Sequence, residues 1–170
     1  MSPNTDNSWI RTYTGKKFYP LNPDPDSICI EDIAHALSNV CRYTGHCNFF
    51  YSVAEHSYYV SQYAGIEGLL HDGAESLISD FAKPIKHLIA NYKEIEYNLE
   101  RAISQKFNLQ FPFPPIVKEY DDKLLHTEMS QIMNGADFDS SLVLDLKIQG
   151  WLPQKAEAMF LQRFYQLMRK

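Results

Sequence analysis

Four residues of the types that hold divalent metals stand on or beside the apolar faces of helical segments: His56, His71, Asp72 and Asp121. Buried imidazoles and carboxylates are costly unless something satisfies them, and one divalent cation would satisfy all four. Val53, His56, Val60 and Tyr63 recur at i, i+3, i+7 and i+10, so His56 points where the apolar residues of its helix point. His71 and Glu75 are one turn apart beside the stripe Leu70, Ala74 and Leu77, which places His71, Asp72 and Glu75 on the border of a buried face. Val117, Asp121, Leu124, Leu125, Glu128 and Ile132 share another inward face, with Asp122 falling beside it next to Lys118. Of the two adjacent acids, Asp121 is the better ligand candidate.

Taken singly, each residue has a plain reading without chemistry. An inward histidine is more often a hydrogen-bonded core residue than a ligand. Asp72 could pair locally and Asp121 could pair with Lys118 or Lys123. Arg42 could be a cation favoured at a helix C-terminus, and Lys86 an ordinary surface lysine. The joint pattern, four ligand types on three helical faces, is what favours a metal.

The elements that must position these residues follow from periodicity. Residues 9–20 read as a short hairpin around a Thr-Gly turn, and 21–27 as a proline-rich connector. Ile30, Ile33, Leu37 and Val40 make a helical stripe, with His35 on its polar side. A second helix runs from about Ser52 to Ala64 and a third from Ile66 to about Ser79, with a reversal expected at Gly65. His56 lies nine residues before that pivot and His71 six after it, giving heights of roughly 13 and 9 Å on antiparallel axes, close enough for one ion to bridge. Further helices are expected around Ile95–Phe107, from Ile116 to Met133, and from Pro153 onward, with a short strand over 142–148. The fold class is mostly α: one domain over 1–170, core about 28–133, C-terminal helix about 153–169.

Composition narrows the function classes. The 170 residues carry a net charge of −5, with 22% charged and 45% hydrophobic residues, an ordinary globular balance. That charge argues against nucleic acid or a membrane surface as partner, and no apolar run is long enough for a membrane span. Met1–Asn7 has neither the basic nor the apolar region of a secretory leader, and Cys29, Cys41 and Cys47 are odd in number, so reduced thiols in the cytoplasm are expected. A zinc module from Cys41, His46 and Cys47 is an alternative that lacks a second paired half. The apolar faces of the last two long helices point to a homo-oligomer.

The segments Tyr51-Ser52-Val53-Ala54-Glu55-His56-Ser57, Leu70-His71-Asp72-Gly73-Ala74-Glu75 and Val117-Lys118-Glu119-Tyr120-Asp121 resemble the H…HD…D signature of HD-domain metal-dependent phosphohydrolases. The nearest likeness is the small branch of bacterial 5′-deoxynucleotidases and phage deoxyadenosine-triphosphate triphosphohydrolases. The resemblance implies an HD-type helical bundle in which His56, His71, Asp72 and Asp121 bind one divalent ion, of Mn, Co, Zn, Mg or Fe. It also implies that Glu75 and Asp80 position or activate the attacking water, that Arg42 and Tyr43 contact the nucleotide, and that Lys86 contacts a phosphate. The deoxynucleotidases carry Trp where this chain has Tyr43, and the His56–His71 spacing is shorter than is usual among them. The expected activity is hydrolysis of a phosphoester of a deoxynucleoside mono- or triphosphate, with release of triphosphate as an alternative. A non-catalytic metal- or nucleotide-binding protein is the contrasting class.

Overall fold

The computed structural model of the protein describes residues 8–169. The stretch Met1–Asn7, on which the reading against a leader rests, lies outside them. The chain is mostly helical, with a two-stranded antiparallel hairpin at its start. In that hairpin β1 (Ile10–Arg11) pairs with β2 (Lys17–Phe18), Ile10 opposite Phe18. Gly15 supplies the positive φ of 84° that closes the turn. Ile10 is exposed, while Phe18 is buried in a cluster with Ile33 and Leu37 of α1 (Ile30–Asn39), which ties the hairpin to that helix. Asp32 of α1 fastens it by accepting from the Thr14 amide at 2.7 Å and the Thr14 hydroxyl at 3.0 Å. His35 is less idle than its polar position suggested. Its ring stacks on Tyr13 with centroids 3.7 Å apart, and its Nδ1 meets Glu157 at 3.0 Å.

α2 (Val53–Leu70) is the central element, in contact with α1, with α6 (Pro115–Ile132) and with α7 (Pro153–Met168). Ser52 caps it by accepting from the Glu55 amide at 3.1 Å. Two apolar clusters flank it. One gathers Phe18, Ile33, Leu37, Leu69, Leu99, Ile103 and Phe160 from the hairpin, α1, α5 (Tyr92–Phe107) and α7. The other gathers Tyr51, Tyr59, Val60, Val117, Leu124, Ile132 and Ile148 on the α6 side. From Val53 to Ser61 the helix is buried nearly all round and has no solvent face for its polar residues. Glu55, His56, Ser57 and Ser61 are accordingly all fully buried, and each charge among them needs a partner.

The expected reversal at Gly65 is present. Gly65 adopts φ 65° and ψ −145°, outside helical values. Beyond it, a Cβ on Gly68 would stand 3.1 Å from the carbonyl oxygen of Val60, eight residues earlier. In a straight helix those residues would be about 12 Å apart, so the chain folds back and only glycine fits the contact.

The third helix is shorter than the periodicity suggested. Helix stops at Leu70, residues 71–74 form a turn, and only α3 (Glu75–Ile78) resumes it. The cause is the His71 ring, whose Nδ1 donates to the Gly68 carbonyl at 2.9 Å, the acceptor a continuing helix would use. The following amides of Gly73 and Glu75 then bond three residues back, to Leu70 and Asp72. A second short helix, α4 (Lys83–Lys86), follows.

Residues 142–148 are not a strand. Leu144, Leu146 and Ile148 do turn inward alternately, but no strand among the described residues pairs with them, and the Leu144 and Ile148 amides and the Leu146 carbonyl meet side chains of α6. Thr127 accepts the Leu144 amide at 2.9 Å, and Gln131 accepts that of Ile148 at 3.0 Å and donates to the Leu146 carbonyl at 2.8 Å. α5 starts three residues before its expected start, α6 one residue before, and α7 at Pro153 as expected. No helix among the described residues is long and apolar enough to cross a membrane.

Candidate metal centre and its cleft

α2 and the turn after its reversal bring two imidazoles face to face, with Nε2 of His56 3.3 Å from Nε2 of His71. Each ring has its other nitrogen engaged by an acceptor: His56 Nδ1 by Glu128 Oε1 at 2.6 Å, His71 Nδ1 by the Gly68 carbonyl at 2.9 Å. A nitrogen that donates leaves the opposite one bare in a neutral ring. Two bare nitrogens at 3.3 Å repel unless a cation or a proton lies between them. Asp121 of α6 adds Oδ1 at 3.3 Å from His56 Nε2 and 4.0 Å from His71 Nε2. Among the described residues, His56, His71 and Asp121 are the group whose donor atoms all lie within 4.8 Å of one another. They could hold a metal ion, and the mixed nitrogen and oxygen set suits a borderline divalent one. Asp72 falls outside that set, although its Oδ2 is 3.5 Å from His56 Nε2 and 3.2 Å from His71 Nε2. Asp122 also lines the neighbouring cleft but lies outside that group; it pairs with Lys118, which reaches Asp121 Oδ2 as well at 3.2 Å.

The electrostatics of the metal-free cluster agree with its geometry. Burial and the Arg42 guanidinium oppose a charge on His56, yet the carboxylates of Glu128 and Asp121 prevail and raise its pKa to about 9. Burial also works against ionising Asp121, but His56, His71 and Arg42 hold it well below the usual carboxylate range. Glu128, with no exposed surface, is drawn down to about 2 despite its burial by Arg42 and His56. The cluster is built to keep negative oxygens around one positive centre.

Beside it opens a cleft of about 760 Å³ lined by Arg42, Tyr43, Asp72, Glu75, Asp80, Lys86 and Asp121, so the expected site residues other than the two histidines share one cleft. Glu75 is 6% exposed, and its Oε2 lacks a hydrogen-bond partner. Burial, then the charges of Asp72 and Asp80, push its pKa up to about 8 against the pull of Lys86. Burial and Asp72 raise Asp80 as well. Lys86 donates to Glu75 at 2.8 Å and to Glu96 at 3.4 Å, so it is engaged by carboxylates. Arg42 and Tyr43 are engaged too. The guanidinium reaches Glu128 at 3.1 Å and Asp72 at 3.6 Å, and the Tyr43 hydroxyl donates to Glu128. In the same cleft Leu125, Met129 and Met133 follow Asp121 at four-residue steps along α6 and its C-cap, an apolar rail that starts at a candidate ligand.

Two acids escaped sequence reasoning. Glu128 stood on the inward face of α6 but had no assigned role, although an acid two turns from Asp121 on an apolar stripe is a readable signal. Glu55 gave no signal. It accepts the amides of Gln149 and Gly150 at 3.0 Å and that of Trp151 at 2.5 Å, partners 94 or more residues away. Cys41, His46 and Cys47 do not form a metal group among the described residues. Burial and the neighbouring Cys41 push the Cys47 thiol up to about 11, away from the thiolate a metal needs.

No protein-family model matches the chain. It is 36% identical to the uncharacterized protein YfdR of Escherichia coli (strain K12), over 94% of this chain and 96% of YfdR. It is also 31% identical to an uncharacterized protein of Rhodobacter capsulatus, over 95% of this chain and 96% of that one. Identity of this level along nearly the whole length places the chain in one family with YfdR.

Proposed function

We propose that this protein is an HD-type, metal-dependent phosphohydrolase acting on nucleotides. The observation that carries the reading is the pair of Nε2 atoms 3.3 Å apart with Asp121 against them. His56, His71 and Asp121 hold the divalent ion, and Asp72, already near both Nε2 atoms, completes the ligand set. When bound, such an ion acidifies water and offsets charge on a phosphoryl group.

The chain's own residues supply the rest. Glu75, whose pKa is pushed up to about 8 in the metal-free fold by its burial and acidic neighbours, is suited to carry a proton to the leaving oxygen. Asp80, in the same cleft, orients the attacking water and accepts its proton. Lys86 keeps Glu75 in place. The rail of Leu125, Met129 and Met133 offers an apolar bed for a nucleobase, while Lys83 and Lys93 line the cleft without ion pairs among the described residues and can meet phosphate. The three cysteines are unpaired, which suits a reducing cytoplasm.

The test is a panel of nucleoside and deoxynucleoside mono- and triphosphates with Mn²⁺, Co²⁺, Mg²⁺ or Zn²⁺, scoring orthophosphate and tripolyphosphate separately. Release of either supports the reading and identifies the bond cleaved. A folded sample that releases neither with any of these metals contradicts it. Glu75→Ala should lose turnover and keep metal, whereas in a non-catalytic binding protein there is no turnover to lose.

A further inference from the structure

Glu128, like Glu55, accepts four hydrogen bonds, yet it is not among the residues that line the cleft, and of the three residues that could hold the ion it touches His56 alone. Its Oε1 accepts from His56 Nδ1 at 2.6 Å and from the Tyr51 hydroxyl at 2.9 Å. Its Oε2 accepts from Arg42 at 3.1 Å and from the Tyr43 hydroxyl. All four lone-pair directions of the carboxylate are filled, and none of its surface is exposed. We propose that Glu128 is a positioning residue that locks His56 in the tautomer presenting Nε2 to the metal, and that Arg42 and Tyr43 serve this carboxylate rather than the substrate. The inference rests on the reading of His56, His71 and Asp121 as a metal site.

The chemistry leaves one arrangement. A carboxylate only accepts, so with an ion at Nε2 the nitrogen facing Glu128 carries the ring's one hydrogen and Nε2 offers its lone pair. The two candidate histidines solve this differently. His71 is set by the Gly68 carbonyl three residues away, a main-chain device that no side-chain change removes. His56 is set by a side chain 72 residues away. Asp121 and Glu128 are seven residues apart on α6, two turns along one face. The same helix thus grips the His56 ring from both edges, Asp121 at Nε2 and Glu128 at Nδ1.

The backbone around Arg42 is bent to the same end. Tyr43 and Thr44 both hold left-handed φ values, 55° and 54°, where residues with a Cβ are strained. That turn is what carries the Tyr43 hydroxyl to Glu128. A plain buried ion pair between Arg42 and Glu128 would need neither the tyrosine nor the strained turn.

Two measurements on the full-length protein test the inference. Mn²⁺ affinity is measured by calorimetry for the wild type, Glu128→Gln and Tyr51→Phe. Glu128→Gln should bind Mn²⁺ about 10- to 100-fold more weakly. Tyr51→Phe, which removes a neighbouring hydrogen bond to the same oxygen, should stay within about threefold. Equal affinity in wild type and Glu128→Gln, or equal losses in both variants, overturns the inference. The second measurement needs no variant: long-range ¹H–¹⁵N correlation spectra of the Zn²⁺-loaded wild type should find His56 protonated at Nδ1 and metal-bound at Nε2. The reverse assignment overturns the inference even if Glu128→Gln does not fold. A wild type that binds neither metal contradicts the metal-site reading itself, a result distinct from both.

Discussion

Glu75 makes a protonation claim that can be measured without any substrate. Its carboxyl is nearly buried, faces Asp72 and Asp80, and titrates at about 8 in the metal-free fold against 4.5 as the ordinary value. A carboxyl whose folded pKa is raised binds an extra proton in the native state between those two values. Its penalty is absent below pH 4.5, grows as pH rises through the interval, and levels off above 8. Every tenfold difference in proton affinity between the folded and unfolded chain corresponds to about 1.36 kcal/mol. From pH 5 to pH 8 the wild type should therefore lose roughly 3 to 4 kcal/mol relative to Glu75→Gln, which cannot ionise. The assay is urea unfolding of both proteins in excess EDTA at pH 5, 6.5 and 8. The pH-independent effect of the substitution, including the altered contact with Lys86, cancels in the comparison. A wild type minus variant difference that moves by less than about 0.5 kcal/mol across this range would refute the claim that Glu75 is held protonated.

Three further outcomes follow from single contacts. Glu55→Gln places an amide NH₂ among the amides of Gln149, Gly150 and Trp151, and should lower unfolding free energy by about 2–4 kcal/mol in urea titrations. Gly150→Ala should destabilise by about 2 kcal/mol or more in the same assay, because residue 150 has φ 65° and a Cβ there would strike the Phe49 ring. Asp121→Ala should abolish detectable Co²⁺ binding by absorption spectroscopy, while Asp122→Ala should bind as the wild type does.

What could be read in the sequence was what depends on local periodicity. The hairpin, the reversal at Gly65, the choice of Asp121 over Asp122 and the extents of the long helices all follow from which face a residue occupies. Most of the failures are long-range. Residues 142–148 alternate as a strand does, but alternation records only that one side is buried; the partners turned out to be Thr127 and Gln131 of a helix. The third helix ends early because the His71 side chain claims a backbone carbonyl, a local contact that no periodicity encodes. Arg42 and Lys86 were legible as cations near the site, but not as cations already paired with Glu128 and Glu75. Glu128 was visible on the right face, and its burial is what gives that position meaning.

The central claim is that the two Nε2 atoms and Asp121 hold one divalent ion. Crystals of the protein grown with Mn²⁺ and measured for anomalous scattering test it most directly. The expected result is a single strong peak within bonding distance of His56 Nε2, His71 Nε2 and an Asp121 carboxylate oxygen, at about 2.0–2.2 Å. No peak between the two imidazoles, or a peak on Cys41, His46 and Cys47 instead, would contradict it.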